Sequence, residues 1–169
     1  MKIKKISAEK TLGSLGNETI KVKITLENGI NEQAFVPCGI SAGKYEVKNV
    51  TPDEAVAQVN KIKNILIARD WQQETLDRRL TELGLGGNAT LAVSAAFWKA
   101  NERIKTRSSK LKFPNLMLLA FEGGKHGNPN ISIQEFMIIE KTLSAAISDF
   151  KKLRSYLKNN KFETSVGAE

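Results

Sequence analysis

Between Glu18 and Glu27 apolar and polar side chains alternate. Ile20, Val22, Ile24 and Leu26 fall on one side, and Lys21, Lys23 and Thr25 on the other. A period of two is that of a half-buried strand, whose apolar row needs a second layer to cover it. Asn28-Gly29 follows and supplies the left-handed conformations of a tight turn. A second extended segment runs from Asn31 to Val36 and ends at Pro37. With an earlier strand near Ile3 to Lys10, the pattern predicts a three-stranded antiparallel meander with one face to bury.

The covering layer is written next. Thr51-Pro52-Asp53-Glu54 reads as a helix start. Thr51 caps free N–H groups, Pro52 suits the first helical position and Glu54 completes a capping box. Ala55, Val59, Ile62 and Leu66 then recur at helical spacing. A second helix is expected over Gln72 to Leu83, closed by Gly84, Gly86 and Gly87, and a third over Ala89 to about Ile104. Three helices over a meander make an α+β domain.

A polar, basic stretch from Thr106 to Lys112 marks the expected boundary, giving domains 1–112 and 113–169. Beyond it come an apolar strand (Leu116 to Phe121), a glycine loop (Glu122 to Asn128) and a strand around Ile133 to Ile139. Leu143, Ile147, Phe150, Leu153 and Leu157 outline one amphipathic helix, and Glu163 to Val166 is a short strand candidate.

Composition narrows the function classes. Hydrophobic residues make up 41% and charged residues 26%, a globular rather than a disordered balance. The amino terminus is charged, without the apolar block of a signal peptide, and no apolar run is long enough for a bilayer. One cysteine excludes an internal disulfide and fits a reducing, cytoplasmic setting. The net charge of +8 gathers at Lys2/Lys4/Lys5, at Arg103 to Lys112 and at Lys151 to Lys161. No nucleic-acid-binding motif accompanies these groups, so they read as solvated faces rather than a nucleic-acid surface. Phosphate-loop, dinucleotide, zinc and nucleophile-elbow motifs are all missing.

Five segments, in order, carry a resemblance. Ser14-Leu15-Gly16-Asn17-Glu18-Thr19 is similar to SRGNPT, and Val36-Pro37-Cys38-Gly39-Ile40-Ser41-Ala42-Gly43 with Tyr45-Glu46 to VPSGASTGIYE. Gly87 to Ser94 resembles GANAILGVS, Gly123 to His126 resembles GGSH, and Gln134 to Met137 matches QEFM. Val166-Gly167-Ala168-Glu169 resembles the start of VGDEGG. Together they resemble the enolase family, the 2-phosphoglycerate dehydratases (phosphopyruvate hydratases, carbon–oxygen lyases) of glycolysis.

The resemblance implies an amino-terminal meander-and-helix domain followed by the opening of an enolase-type β/α barrel. A complete barrel takes roughly 250 residues, so the barrel expected here is incomplete. It also implies a chemistry. A base takes the proton beside the substrate carboxylate, and magnesium ions stabilise the charge that develops there. Neither the base lysine nor the main metal carboxylates of the family are matched in this chain.

What it does match is the other part of the site. Glu169 corresponds to the proton donor for the leaving hydroxide; read on its own it is an end residue. His126, Gln134 and Glu135 correspond to substrate-contacting positions; on their own they are a loop histidine and a polar pair at a strand entrance. Ser41 corresponds to a ligand of the second magnesium, in a segment that otherwise reads as a turn. Leu15 stands for the family Arg, Glu122 for Asn and Ala168 for Asp, and the segments after Ser94 and before Glu169 are short.

The expected function is therefore that of a truncated or split enolase, inactive alone. It would act on 2-phosphoglycerate and phosphoenolpyruvate once completed, as a homodimer or with a complementing barrel fragment. The alternative is a non-catalytic interaction or dimerisation module of the same descent.

Overall fold

The computed structural model describes every residue except Cys38, Ile40, Ser41, Ala68, residues 106–113, Lys125, His126, Asn128, Pro129 and residues 165–169. The chain divides into two compact units, Met1–Lys110 and Leu111–Glu169.

In the first unit, β1 (Ile3–Leu12), β2 (Glu18–Leu26) and β3 (Asn31–Phe35) form an antiparallel sheet in that order. The alternation on β2 is realised: Ile20, Val22, Ile24 and Leu26 are buried, facing the helices. Register follows from the turns. Ile6 lies opposite Ile24, and Val22 opposite Ala34. Gly29, at φ +86°, closes the β2–β3 turn, where the Asn28 side chain accepts the Ile30 N–H at 3.1 Å.

Helix α1 (Pro52–Ile67) begins as its sequence specifies. Thr51 Oγ1 accepts the Glu54 N–H at 3.3 Å, and Glu54 accepts the Thr51 N–H at 3.0 Å. Its stripe of Ala55, Val59, Ile62 and Leu66 is buried and runs along β1. Helix α2 (Gln73–Glu82) buries Leu76 and Leu80 and packs on α3 (Gly87–Lys105). Ala89, Ala92, Val93, Ala96, Phe97 and Ala100 are fully buried, spaced as one face of α3. Small side chains let α3 approach β2 and β3 closely, and Phe97 fills the remaining space. Each large apolar side chain removed from water here contributes about 1.5–3 kcal/mol.

The second unit is smaller. β4 (Leu116–Glu122) and β5 (Glu135–Glu140) pair antiparallel, with a register irregularity between Leu119 and Phe121. Phe121 and Phe136 meet edge to face, with ring centroids 6.3 Å apart. β5 opens two residues after the expected Ile133. The preceding residues fold back instead, as the Ile131 and Gln134 carbonyls accept the N–H groups of Gly124 and Gly123, each at 2.8 Å.

Helix α4 (Leu143–Asn159) is capped by Thr142, whose hydroxyl accepts the Ala145 N–H at 3.2 Å. Only Ala146 on it is fully buried. Leu143 and Ile147, expected in its apolar stripe, are 62% and 42% exposed, because two strands offer too little surface for the whole stripe. Glu163 and Thr164 are not in a strand, and the rest of that candidate lies outside the described residues.

Candidate functional site

The β4–β5 connection gathers several of the expected groups. Glu122 ends β4 and Glu135 begins β5, and the two are register partners, so their side chains leave the same face side by side. Both carboxylate oxygens of Glu122 are withdrawn from solvent, and Glu135 is half-buried. Gln134 precedes the strand with its side chain exposed, and its carbonyl fixes Gly123. A Cβ at Gly123 would lie 2.3 Å from the Ile133 carbonyl oxygen, so this crossing requires glycine. Gly124, at φ +62°, then turns the chain toward the loop.

His126 belongs to that loop and lies outside the described residues. So do Glu169 and Ser41. Of the positions expected to serve the site, the structure thus describes Gln134 and Glu135 and brings them together beside Glu122. The sequence drew attention to Glu122 and Glu135 separately. Their opposition depends on the hairpin register, which the irregularity before Phe121 shifts.

In the first unit, the flanks of Ser41 are described. Gly43 and Glu46 form a turn in which the Gly43 N–H donates to Glu46 Oε1 at 2.7 Å and the Glu46 N–H to the Gly43 carbonyl at 3.3 Å. Leu15 is 63% exposed at the β1–β2 turn, which the Gly13 N–H closes on the Asn17 carbonyl at 2.8 Å. An apolar side chain is therefore presented to water where the family motif places a cation. Among the described residues no three His, Cys, Asp or Glu side chains cluster as metal ligands.

Residues 3–108 match the family model for the enolase N-terminal domain. This chain belongs to the enolase family. The enolase of Ehrlichia canis (strain Jake) is 32% identical to it over 203 aligned residues, covering 99% of this chain and 48% of that protein. The enolase of Legionella pneumophila (strain Lens) is 33% identical, over all of this chain and again 48% of the relative. The chain thus spans about half the length of the curated relatives it matches. The aligned stretch is also longer than the 169 residues here, so these enolases carry residues with no counterpart in this chain. Among the described residues, no helix is long and apolar enough to cross a membrane.

Proposed function

We propose that this chain supplies the amino-terminal domain and first barrel elements of an enolase acting on 2-phosphoglycerate, and that alone it is inactive. The observation that carries the reading is the match to the enolase N-terminal domain over residues 3–108. The alignment with enolases continues through the β4–β5 unit to the end of the chain. The boundary between the two parts falls in the basic stretch that ends at Lys112.

In this reading the chain's own groups have assigned roles. Glu169 gives a proton to the departing hydroxyl of 2-phosphoglycerate, which leaves as water as the double bond of phosphoenolpyruvate forms. Gln134, Glu135 and His126 hold and orient the substrate from the hairpin end. The base that takes the other proton comes from residues that this chain does not match. Magnesium is the expected ion, with Ser41 offering the hard oxygen ligand that such a cation prefers. The setting is cytoplasmic and glycolytic, and the partner is a complementing barrel segment or a second protomer.

The test is phosphoenolpyruvate formation from 2-phosphoglycerate with magnesium. The 169-residue chain is assayed alone and with a polypeptide spanning the remaining half of the Ehrlichia canis enolase. Turnover is expected only in the mixture. Turnover by the chain alone would overturn the claim of inactivity, and none in either sample would overturn the catalytic assignment. Leu15, exposed where a cation is expected, favours a second reading as a non-catalytic interaction module. That reading requires stable association in the mixture without turnover.

A further inference from the structure

The helices of the first unit bury one face of its sheet. On the opposite face of β2 stand Lys21, Lys23 and Thr25, and the register sets their neighbours. Thr25 lies between Lys5 and Asn31, Lys23 between Ser7 and Gln33, and Lys21 between Glu9 and Phe35. These side chains form three rows across the three strands. Lys21 and Thr25 are half-buried, and all the others are exposed.

Charge is sorted between the two faces. On the helix side Glu18 pairs with Lys10 at 3.1 Å, and Glu32 pairs with Arg103. On the open side Glu9 is the one carboxylate in the three rows, and Lys21 holds it at 2.6 Å. Lys5 and Lys23 make no ion pair among the described residues. The face is therefore net positive, in a chain whose net charge is +8. Phe35, 55% exposed, stands beside Lys21 on the edge strand, with its ring open to solvent.

We propose that this open sheet face binds single-stranded RNA. Lys5 and Lys23 lie one strand and one row apart, about 8 Å along that diagonal. Their flexible ammonium ends reach two neighbouring phosphates of an extended strand. Phe35 offers a stacking platform to one base, which a duplex would keep inside its own stack. Ser7, Gln33 and Asn31, exposed beside the lysines, supply hydrogen bonds to ribose 2′-hydroxyls, which favours RNA over DNA. An acidic protein segment would meet the same lysines but has no base to lay on Phe35. The basic clusters along the sequence do not display this face, because Lys5 joins Lys23 only through the hairpin register. The proposal does not rest on the enolase reading.

Fluorescence anisotropy of a labelled oligouridylate, titrated with the full 169-residue chain at rising salt, tests this. Plotted logarithmically, the binding constant should fall with salt at a slope of about −1.4, as two phosphate contacts to a single strand give. Lys23→Gln should reduce that slope to about −0.7. Phe35→Ala should weaken binding about tenfold at unchanged slope, and Phe35→Tyr should restore it. Lys61→Gln combined with Lys63→Gln, exposed on α1 in the layer behind the other face, should leave both quantities unchanged. Oligodeoxyuridylate and an RNA duplex should each bind more weakly. No binding at low salt overturns the proposal. So does an equal loss from the Lys61 and Lys63 changes, which would reduce the effect to net charge. Oligodeoxyuridylate bound as tightly as oligouridylate overturns the choice of RNA. Polyglutamate bound as tightly, and indifferent to Phe35→Ala, assigns the face to an acidic protein instead. Should Phe35→Ala fail to fold, the lysine variants, whose melting temperatures should match the parent's, decide. None of these readouts involves turnover, so the result stands whichever way the enolase assay falls.

Discussion

Glu122 and Glu135 face each other directly across the β4–β5 ladder. Opposed like charges weaken a strand pair by a few tenths of a kcal/mol to about 1 kcal/mol. A like-charge pair facing across a ladder breaks a local rule of strand pairing, and departures of that kind are expected at functional sites. Glu135→Gln should accordingly stabilise the second unit by about 0.5 kcal/mol, read from slower hairpin amide exchange. The same change should lower turnover of the complemented protein. Weaker hairpin protection in the variant would contradict this account.

The first unit divides sharply along α3. Phe97 is fully buried and Trp98, its neighbour, is 52% exposed. Phe97→Ala should cost about 3–5 kcal/mol through lost burial and the cavity left behind. Trp98→Ala should stay within about 0.5 kcal/mol of the parent. Urea denaturation of both variants provides the comparison, and equal losses would show that the face of α3 has been misassigned.

Local features of this fold were open to sequence reasoning, and long-range ones were not. The alternation on β2, the Asn28-Gly29 turn and the Thr51–Glu54 capping box each lie within a few residues, so the backbone obeys them directly. The burial of Thr19 and Asn88 depends on partners 17 and 38 residues away. No local pattern distinguishes them from surface polar residues. The stripe on α4 was legible as a helix, yet the small sheet beneath it leaves Leu143 and Ile147 exposed. At the site, Gln134 and Glu135 were singled out by motif likeness. Their pairing with Glu122 follows from a shifted register that no periodicity reveals.

Glycine is required at Gly123 for a reason distinct from that at Gly29. A Cβ at Gly29 would meet open space, so Gly29→Ala carries only the strain of φ +86°, about 1 kcal/mol. At Gly123 the new carbon would press on the carbonyl oxygens of Ile133 and Ile131, both backbone atoms that cannot swing aside. Gly123→Ala should therefore cost more, about 2–3 kcal/mol, and should displace Gln134 and Glu135. Amide shifts at those two residues, set against a quiet Gly29→Ala control, check the claim.

Acid should loosen the start of α1 in a defined window. The Thr51 backbone N–H, and then its hydroxyl, hydrogen-bond the Glu54 carboxylate and hold its pKa below the ordinary glutamate value of 4.5. A carboxyl group depressed in the folded state binds protons more readily when unfolded, so folding is favoured while the group stays ionised. The contribution is complete above pH 4.5 and is lost as pH falls through the lower, folded value. Asp70, depressed by the amino-terminal ammonium group at 2.6 Å, behaves in the same sense at the edge of β1. Glu54→Gln should thus leave a melting temperature that falls less steeply between pH 4.5 and pH 2 than that of the parent chain. Parallel pH profiles for the two proteins would show that the cap's ionisation is not coupled to folding.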